Sequence, residues 1–324
     1  MINKISQFLS ILTFCYAIVF SSEANKIRVA VLKFGSVNWE LDVIKHHQLD
    51  IKNNIKIKKI VMTNKDAATI AFLSKAADIF ITDWIWVNRQ RNKGNLVTFS
   101  PYSNAAGALM VKENSDIKDF KDLKNKKVGV AGSSLDKSWI FLRAYGIKKY
   151  GADPLRFFNA SFAAPPLING LLKNSELDAG FNYWNYSARL EAQGFKTLIT
   201  VENILPHIGV KGELPLIGYV FREKFEKENS ETIKDFIKTS SQARKILMES
   251  DKEWQRISNI TGANDKIMLE KIRDYFRKGV PSQDYDEMML NMRNAYKILA
   301  QIGGKELVGK SKKLLPGTFW KLDK

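Results

Sequence analysis

Thiols are almost absent from this sequence: its 324 residues include one cysteine, Cys15, inside an apolar run near the N-terminus. Residues 1–24 hold an early lysine, Lys4, an apolar core from Phe8 to Phe20, and Ser22-Glu23-Ala24 as a small-x-small site. That is the layout of an export signal cut after Ala24. The run is short of the roughly 20 residues a membrane span prefers, which argues against an uncleaved anchor. Phe14 stands where a lipoprotein site would need a small residue before the cysteine. The chain expected to remain, from Asn25, then has no disulfide, no thiolate metal site and no cysteine nucleophile.

Histidine is scarce too: His46, His47 and His207 are the full set. Adjacent helix residues diverge by about 100 degrees, so His46 and His47 are not expected to share a metal or a proton relay. HExxH and G-x-S-x-G are missing, as is G-x-x-x-x-G-K-[ST], and the turn after Val130 has one glycine where a dinucleotide fingerprint needs three. These absences point away from an enzyme, a resident metal and a cofactor. Negative charge is also limited, 34 acidic against 51 basic residues, for a net charge of +17. The basic residues are mostly lysines scattered along the chain, with no arginine-rich arm or helix-turn-helix, so nucleic acid is not an expected partner. A solvated lysine-rich surface accounts for the charge, as does steering of an anionic ligand or an acidic membrane partner.

What the sequence does have is length and apolar content, 45% hydrophobic and 26% charged, enough for two domains with their own cores. The stretch Lys127–Tyr150, KVGVAGSSLDKSWIFLRAYGIKKY, reads as strand, turn and helix. A helix opening at a strand's carboxyl end aims unpaired N–H groups and the positive dipole end into a crevice that suits small ligands, anions especially. Ile27–Trp39 has the same form. Asp78-Ile79-Phe80-Ile81-Thr82-Asp83-Trp84 is echoed one hundred positions later by Asp178-Ala179-Gly180-Phe181-Asn182-Tyr183-Trp184, and the register carries Arg89 onto Arg189 and Gly94 onto Gly194. Two α/β halves facing each other are expected.

In order, strands are expected at 27–34, 55–62, 77–82, 96–99 and 106–111, then at 128–131, 156–159, 178–182, 197–201 and 216–222. A loop is expected from Pro206 to Pro215, and helices almost throughout from Ser230: 230–250, 252–260, 265–277 and 285–302. Strand ends then deliver the candidate ligand residues: Ser36, Asn38 and Trp39; Asp83 and Trp84; Ser133, Ser134 and Asp136, with Lys137; Asn182, Tyr183 and Trp184. Asn38 is read as the cap of its helix, and Asp136 fits a capping role as well as a ligand contact. Trp84 and Trp184 fit core or site equally, whereas Trp139 at helical spacing from Leu135 and Leu142 fits the core.

The segments VAVLKFGSVNWELDVIKHH, DIFITDW, KVGVAGSSLDKSW and APPLINGLLKNSELDAGFNYW, with a helical C-terminal part, together resemble the periplasmic substrate-binding components of ABC importers of the nitrate/taurine/sulfonate type, a group that includes binders of thiamine-related pyrimidines. Ser133-Ser134 departs from the glycine many relatives carry. The resemblance implies a type II periplasmic-binding fold, two α/β domains with a hinge, and a monomer that closes over one small molecule and hands it to an inner-membrane permease and its ATPase. The expected partition is a signal peptide at 1–24, a discontinuous first domain at 25–104 plus 215–324, and a second domain at 105–214. The expected ligand is a small organic anion or zwitterion, sulfonate- or taurine-like. A thiamine-related pyrimidine or other nitrogen heterocycle is the alternative, as is an enzyme of the pyrimidine-synthesis branch on the same fold.

Overall fold

A computed structural model describes residues 25–282 and 285–321; the expected export signal lies outside the described residues. The chain opens by alternating strand and helix: β1 (Asn25–Leu32), α1 (Ser36–His46), α2 (Leu49–Lys52), β2 (Ile55–Met62), α3 (Lys65–Leu73), β3 (Ile79–Thr82), α4 (Trp84–Arg91) and β4 (Val97–Ser103). It then crosses into β5 (Ala108–Val111), β6 (Lys127–Ala131), α5 (Lys137–Tyr150), α6 (Pro154–Phe157), β7 (Asn159–Ala163), α7 (Pro165–Lys173), β8 (Ala179–Asn182), α8 (Trp184–Glu191), β9 (Lys196–Thr200) and α9 (Val201–Ile208). It returns as β10 (Ile217–Arg222) and ends in α10 (Glu223–Glu228), α11 (Ser230–Glu249), α12 (Asp251–Arg256), α13 (Ser258–Thr261), α14 (Lys266–Lys278) and α15 (Tyr285–Val308).

The strands form two five-stranded sheets, ordered β2-β1-β3-β10-β4 and β7-β6-β8-β5-β9. Each has three parallel strands, then one antiparallel strand, then an edge. Position by position the plans coincide, with the antiparallel strand of each sheet supplied by a chain crossing. The hundred-residue echo is therefore architectural. Asp78 accepts the backbone N–H of Arg28 at 2.9 Å, and Asp178 accepts that of Lys127 at 2.8 Å, so in each sheet one carboxylate pins the second strand, β1 or β6. Lys75 and Ser175 share the same left-handed backbone, φ 63°, ahead of those aspartates.

Apolar residues explain the layers. Ile27, Val29 and Val31 of β1 meet Val37, Leu41 and Ile44 of α1, and α11 adds Ile233, Phe236 and Ala243 over the same face. A second cluster runs through Phe80, Trp84, Val130, Trp139 and Phe181 to Met292, Tyr296 and Leu299 of α15, so the last long helix packs against both halves. The free edge of β4 is covered by the C-terminal segment: Phe99 N–H donates to Thr318 O and Trp320 N–H to Phe99 O, each at 2.9 Å. Pro101 is tolerated in β4 because an edge strand has one ladder side to spare.

Four local expectations are corrected. Residues 156–159 are not a strand: Asp153 caps Leu155 N–H and Pro154 starts a helical turn, so β7 begins at Asn159. The segment from Pro206 is not yet loop. α9 runs through Pro206 to Ile208, capped by Thr200 and held by the buried Val201, Ile204, Leu205 and Ile208, until Gly209 at φ 96° stops it. The helix expected over 252–260 breaks at Ile257 (φ −87°, ψ 4°) into α12 and α13. Asn38 does not cap α1: Gly35 occupies that position at φ 135°, and the Asn38 amide instead donates to Leu32 O at 2.9 Å and Gly35 O at 3.3 Å, closing the turn.

Beneath that turn lies a buried polar chain. Tyr102 donates to Ser36 Oγ at 3.3 Å, Tyr219 donates to Glu40, and Arg244 reaches Glu40 Oε2 at 3.4 Å and Ser240 Oγ at 2.6 Å. Burial pushes the Glu40 carboxyl up from its ordinary value against the pull of Arg244, Tyr219 and Ser240. Glu40→Gln keeps the shape and an acceptor for Tyr219 but leaves Arg244 without its charge partner. The expected cost is about 2 kcal/mol, the scale of a hydrogen bond to a charged group, read from denaturant midpoints. An unchanged midpoint would show that the pair contributes nothing net.

Candidate functional site

The carboxyl ends of β3, β6 and β8 converge, and between them lies a cavity of about 340 Å³ lined from both halves and from α15. Asp83 follows β3. It caps α4 by accepting Trp86 N–H at 2.8 Å, and its other oxygen takes Lys65 Nζ at 3.1 Å and Lys137 Nζ at 3.3 Å. Lys65 opens α3 in the first half and Lys137 opens α5 in the second, so one buried carboxylate ties the two halves at the floor of the cavity. Burial alone would raise Asp83; Lys137, Lys65 and the Trp86 N–H overcome it and hold the carboxyl far below the ordinary range. Lys137 is likewise penalised by burial, but Asp83 and Asp136 keep its ammonium charged.

The second half supplies a matching cap. Asp136 accepts Ser138 N–H at 2.9 Å and Trp139 N–H at 3.4 Å, while its Oδ2 takes the Tyr183 hydroxyl at 3.2 Å. Burial raises the Tyr183 phenol, reinforced by the Asp136 charge, so it stays a donor. Gly132 at φ 89° lets the turn pass beneath that phenol: a Cβ there would sit 2.7 Å from the Tyr183 oxygen. Two more charged groups line the space. Arg89 of α4 is half-buried with no hydrogen-bond or ion-pair partner among the described residues, and Glu306, itself exposed, lies just past Gly304 (φ 60°, ψ −163°), where α15 kinks.

Of the candidate residues read from sequence, Asp83, Ser133, Asp136 and Tyr183 line this cavity, with Lys137. Ser134 is exposed beside it. Asn182 is buried, its amide spent on Pro165 O at 2.8 Å and Asn169 Oδ1 at 2.7 Å and its oxygen on Tyr183 N–H at 2.8 Å, so it shapes the turn from behind. Ser36 is buried under Tyr102, and Asn38 closes its own turn. Trp84 is fully buried against Tyr296 and Phe319, with its indole N–H on Pro215 O at 2.7 Å. Trp39 and Trp184 meet edge to face, 6.0 Å between centroids, and Trp39 also packs on Trp254 and Phe276. These rings bind protein to protein, because tryptophans just past strand ends are where α4, α8 and the C-terminal helices pack. Beside Trp184, Arg189 donates to Thr261 O and Gly262 O, and Glu191 takes Lys271 at 2.6 Å and Tyr275 at 2.8 Å.

Sequence reading missed Lys65, Arg89 and Glu306. Lys65 had a signal, since it follows the capping Asn64 at a strand end; Arg89 had one in the repeat; Glu306 had none. One negative expectation is corrected as well. His46 and His47 do not diverge: α1 ends at His46, His47 leaves helical geometry (φ −89°, ψ 3°), and the rings meet edge to face with centroids 4.8 Å apart.

A family model described as NMT1/THI5 like matches residues 51–253, more than half of the chain. No curated protein matches the sequence. Among solved structures, the periplasmic aliphatic sulphonate binding protein of Escherichia coli is similar at a TM-score of 0.72 and 16% identity, with 92% of each chain covered. The alkanesulfonate-binding protein of Xanthomonas axonopodis pv. citri, bound to MOPS, is similar at 0.66 and 15%, covering 93% of this chain and 99% of that one. A Candida albicans protein described as having the generic periplasmic binding protein fold is similar at 0.60 and 15%, covering 92% and 98%. The two mixed sheets and helical C-terminal part are that fold.

Proposed function

The chain belongs to the NMT1/THI5 like family, and on that premise we propose that it is the exported solute-binding component of an ABC importer, capturing a small organic anion or zwitterion between its two halves. The observation that carries the reading is the charge inventory of the cavity. Asp83 is satisfied by two lysines and Asp136 by its cap and Tyr183, which leaves Arg89 and Glu306 as opposite charges to be met by a ligand. Arg89 suits a sulfonate or carboxylate, because a planar guanidinium offers paired donors to such groups; Glu306 suits an ammonium. A volume near the lower end of ligand pockets supports an amino-acid-sized solute.

The domain partition is part of the proposal: 25–104 with 215–324, and 105–214, closing about the crossings near Asn104 and Leu214, after loss of residues 1–24 on export to the periplasm. The partners are then a permease and its ATPase, with the protein a monomer. Among the described residues Tyr183 is the one aromatic side chain lining the cavity, which favours the anion over a stacked ring.

The test is calorimetry of the parent and Arg89→Ala with taurine, longer aliphatic sulfonates, MOPS and a thiamine-related pyrimidine. A sulfonate or aminosulfonate should bind, and Arg89→Ala should weaken it about 10- to 100-fold, the loss of one charge-assisted contact worth about 1.5–3 kcal/mol. Saturation by the pyrimidine alone would overturn the ligand class; equal binding by parent and variant would overturn the placement of the cavity.

A further inference from the structure

The two histidines at the end of α1 face a carboxylate from another element. One ring nitrogen each from His46 and His47 and a carboxylate oxygen of Glu253 lie within 4.8 Å of one another; His46 is exposed, His47 half-buried and Glu253 buried. His47 Nε2 is itself out of solvent contact, and its near partner is Glu253 Oε2, 3.3 Å away, an ion pair when the imidazole is protonated. With the imidazole neutral, as a metal ligand must be, the 3.3 Å separation has a second reading. It is the spacing of two donors on one tetrahedral cation, because metal–ligand distances of about 2.0–2.1 Å place neighbouring donors about 3.3 Å apart.

The surroundings hold these donors in place. Glu253 Oε1 is clamped by Arg256, Nε at 2.9 Å and Nη2 at 2.7 Å, so only Oε2 turns to the histidines. Arg256 also reaches Asp42 Oδ1 at 2.6 Å, and Glu253 N–H donates to Ser250 Oγ at 3.1 Å, which fixes the first turn of α12. Such outer contacts orient metal ligands and tune them. The histidines can converge because the helix stops between them: His47 is followed by Gln48 at φ 54°.

We propose that His46, His47 and Glu253 form a three-ligand site for a zinc-class divalent cation, with its fourth position open to solvent on the exposed His46 side. Two imidazoles and one carboxylate suit zinc and its late first-row neighbours, whereas magnesium and calcium want oxygen donors. The site lies at the C-terminal end of α1 and the first turn of α12, and none of its three residues lines the solute cavity, so it is separate from it. A bound cation would clamp α1, which packs on the first sheet, to α12 of the C-terminal helices.

The experiment uses untagged protein, stripped with chelator and titrated with zinc chloride by calorimetry, with cobalt(II) visible absorption as a second readout. One equivalent of zinc should bind in the micromolar range or tighter, raise the melting temperature, and bind at least tenfold more weakly to His46→Ala, His47→Ala and Glu253→Gln. His207→Ala and Arg89→Ala should bind zinc as the parent does. Absence of saturable binding would overturn the proposal, as would zinc affinity that survives all three ligand substitutions or that calcium matches. Melting curves of the metal-free variants establish their folding; should Glu253→Gln not fold, the exposed His46→Ala decides alone.

Discussion

Gly107→Ala should destabilise the protein by at least about 3 kcal/mol, the upper end of overpacking costs, and lower its melting temperature by roughly 6 °C or more. Gly107 immediately precedes β5, where the chain enters the second sheet, and its carbonyl accepts Val201 N–H at 3.0 Å. A Cβ at this position would lie 1.6 Å from the carbonyl oxygen of Asn182 and 2.7 Å from its carbon. Both are backbone atoms at the end of β8, so no side-chain rotation relieves the overlap and one strand must move. The strand that moves carries Tyr183 out of register with Asp136, so solute binding should fall with stability. Gly170→Ala is the control: nothing lies within 4 Å of its added methyl, and its place inside α7 favours alanine, so it should be neutral or stabilise by up to about 1 kcal/mol. Calorimetric melting of the two variants compares them directly. Similar melting temperatures would mean that the β5–β8 approach is looser than the structure has it.

A close approach of two backbones such as this one leaves little trace in sequence, whereas the layers around it leave a great deal. The short apolar runs, the helical spacings, the turn residues and the echo of 78–84 in 178–184 were enough for two like α/β halves, because burial on a parallel sheet leaves a strong mark on composition. The cap at Asp136 was legible from an aspartate ahead of a helical pattern, whereas Asn38, read the same way, gives its place to Gly35. The tryptophans were not legible. Trp84 and Trp39 sit just past strand ends like ligand-holding residues, but whether such a ring faces the crevice or the neighbouring helix depends on α15 and on α12 to α14, more than a hundred positions away. Glu306 was hidden for the same reason: a glutamate in the short helical piece after the kink at Gly304 carries no local sign that it will overlook a cavity built from other segments. The histidine pair turned on a finer point: the 100-degree divergence holds only inside a helix, and α1 ends at His46.

Asp83→Ala should cost about 4 kcal/mol, within the 3–5 kcal/mol that follows when one member of a buried ion pair is removed, and should weaken solute capture as well. Two lost interactions make up that cost. The cap on Trp86 N–H accounts for about 1 kcal/mol, so Asp83→Asn, which keeps an acceptor there, should be milder by that much. Most of the rest comes from Lys137, mostly buried and without its carboxylate in either variant; Lys65 is more than half exposed, so its share is discounted for solvent screening. The sign with pH follows from the depressed Asp83 value. Its folded pKa lies below the unfolded one, so the stability it contributes is complete above the ordinary aspartate range near 4 and is lost as pH falls below that toward the folded value. The parent's advantage over Asp83→Asn should therefore be constant from about pH 5 to pH 8 and shrink below about pH 4. Urea midpoints of both proteins across that range give the difference directly, with the remaining carboxylates common to both. Because the same carboxylate joins Lys65 of one half to Lys137 of the other, its loss also frees the halves to separate, and small-angle scattering of Asp83→Asn at neutral pH should give a larger radius of gyration than the parent. Equal radii together with a pH-independent stability difference would reduce Asp83 to a helix cap and remove it from the closure of the cavity.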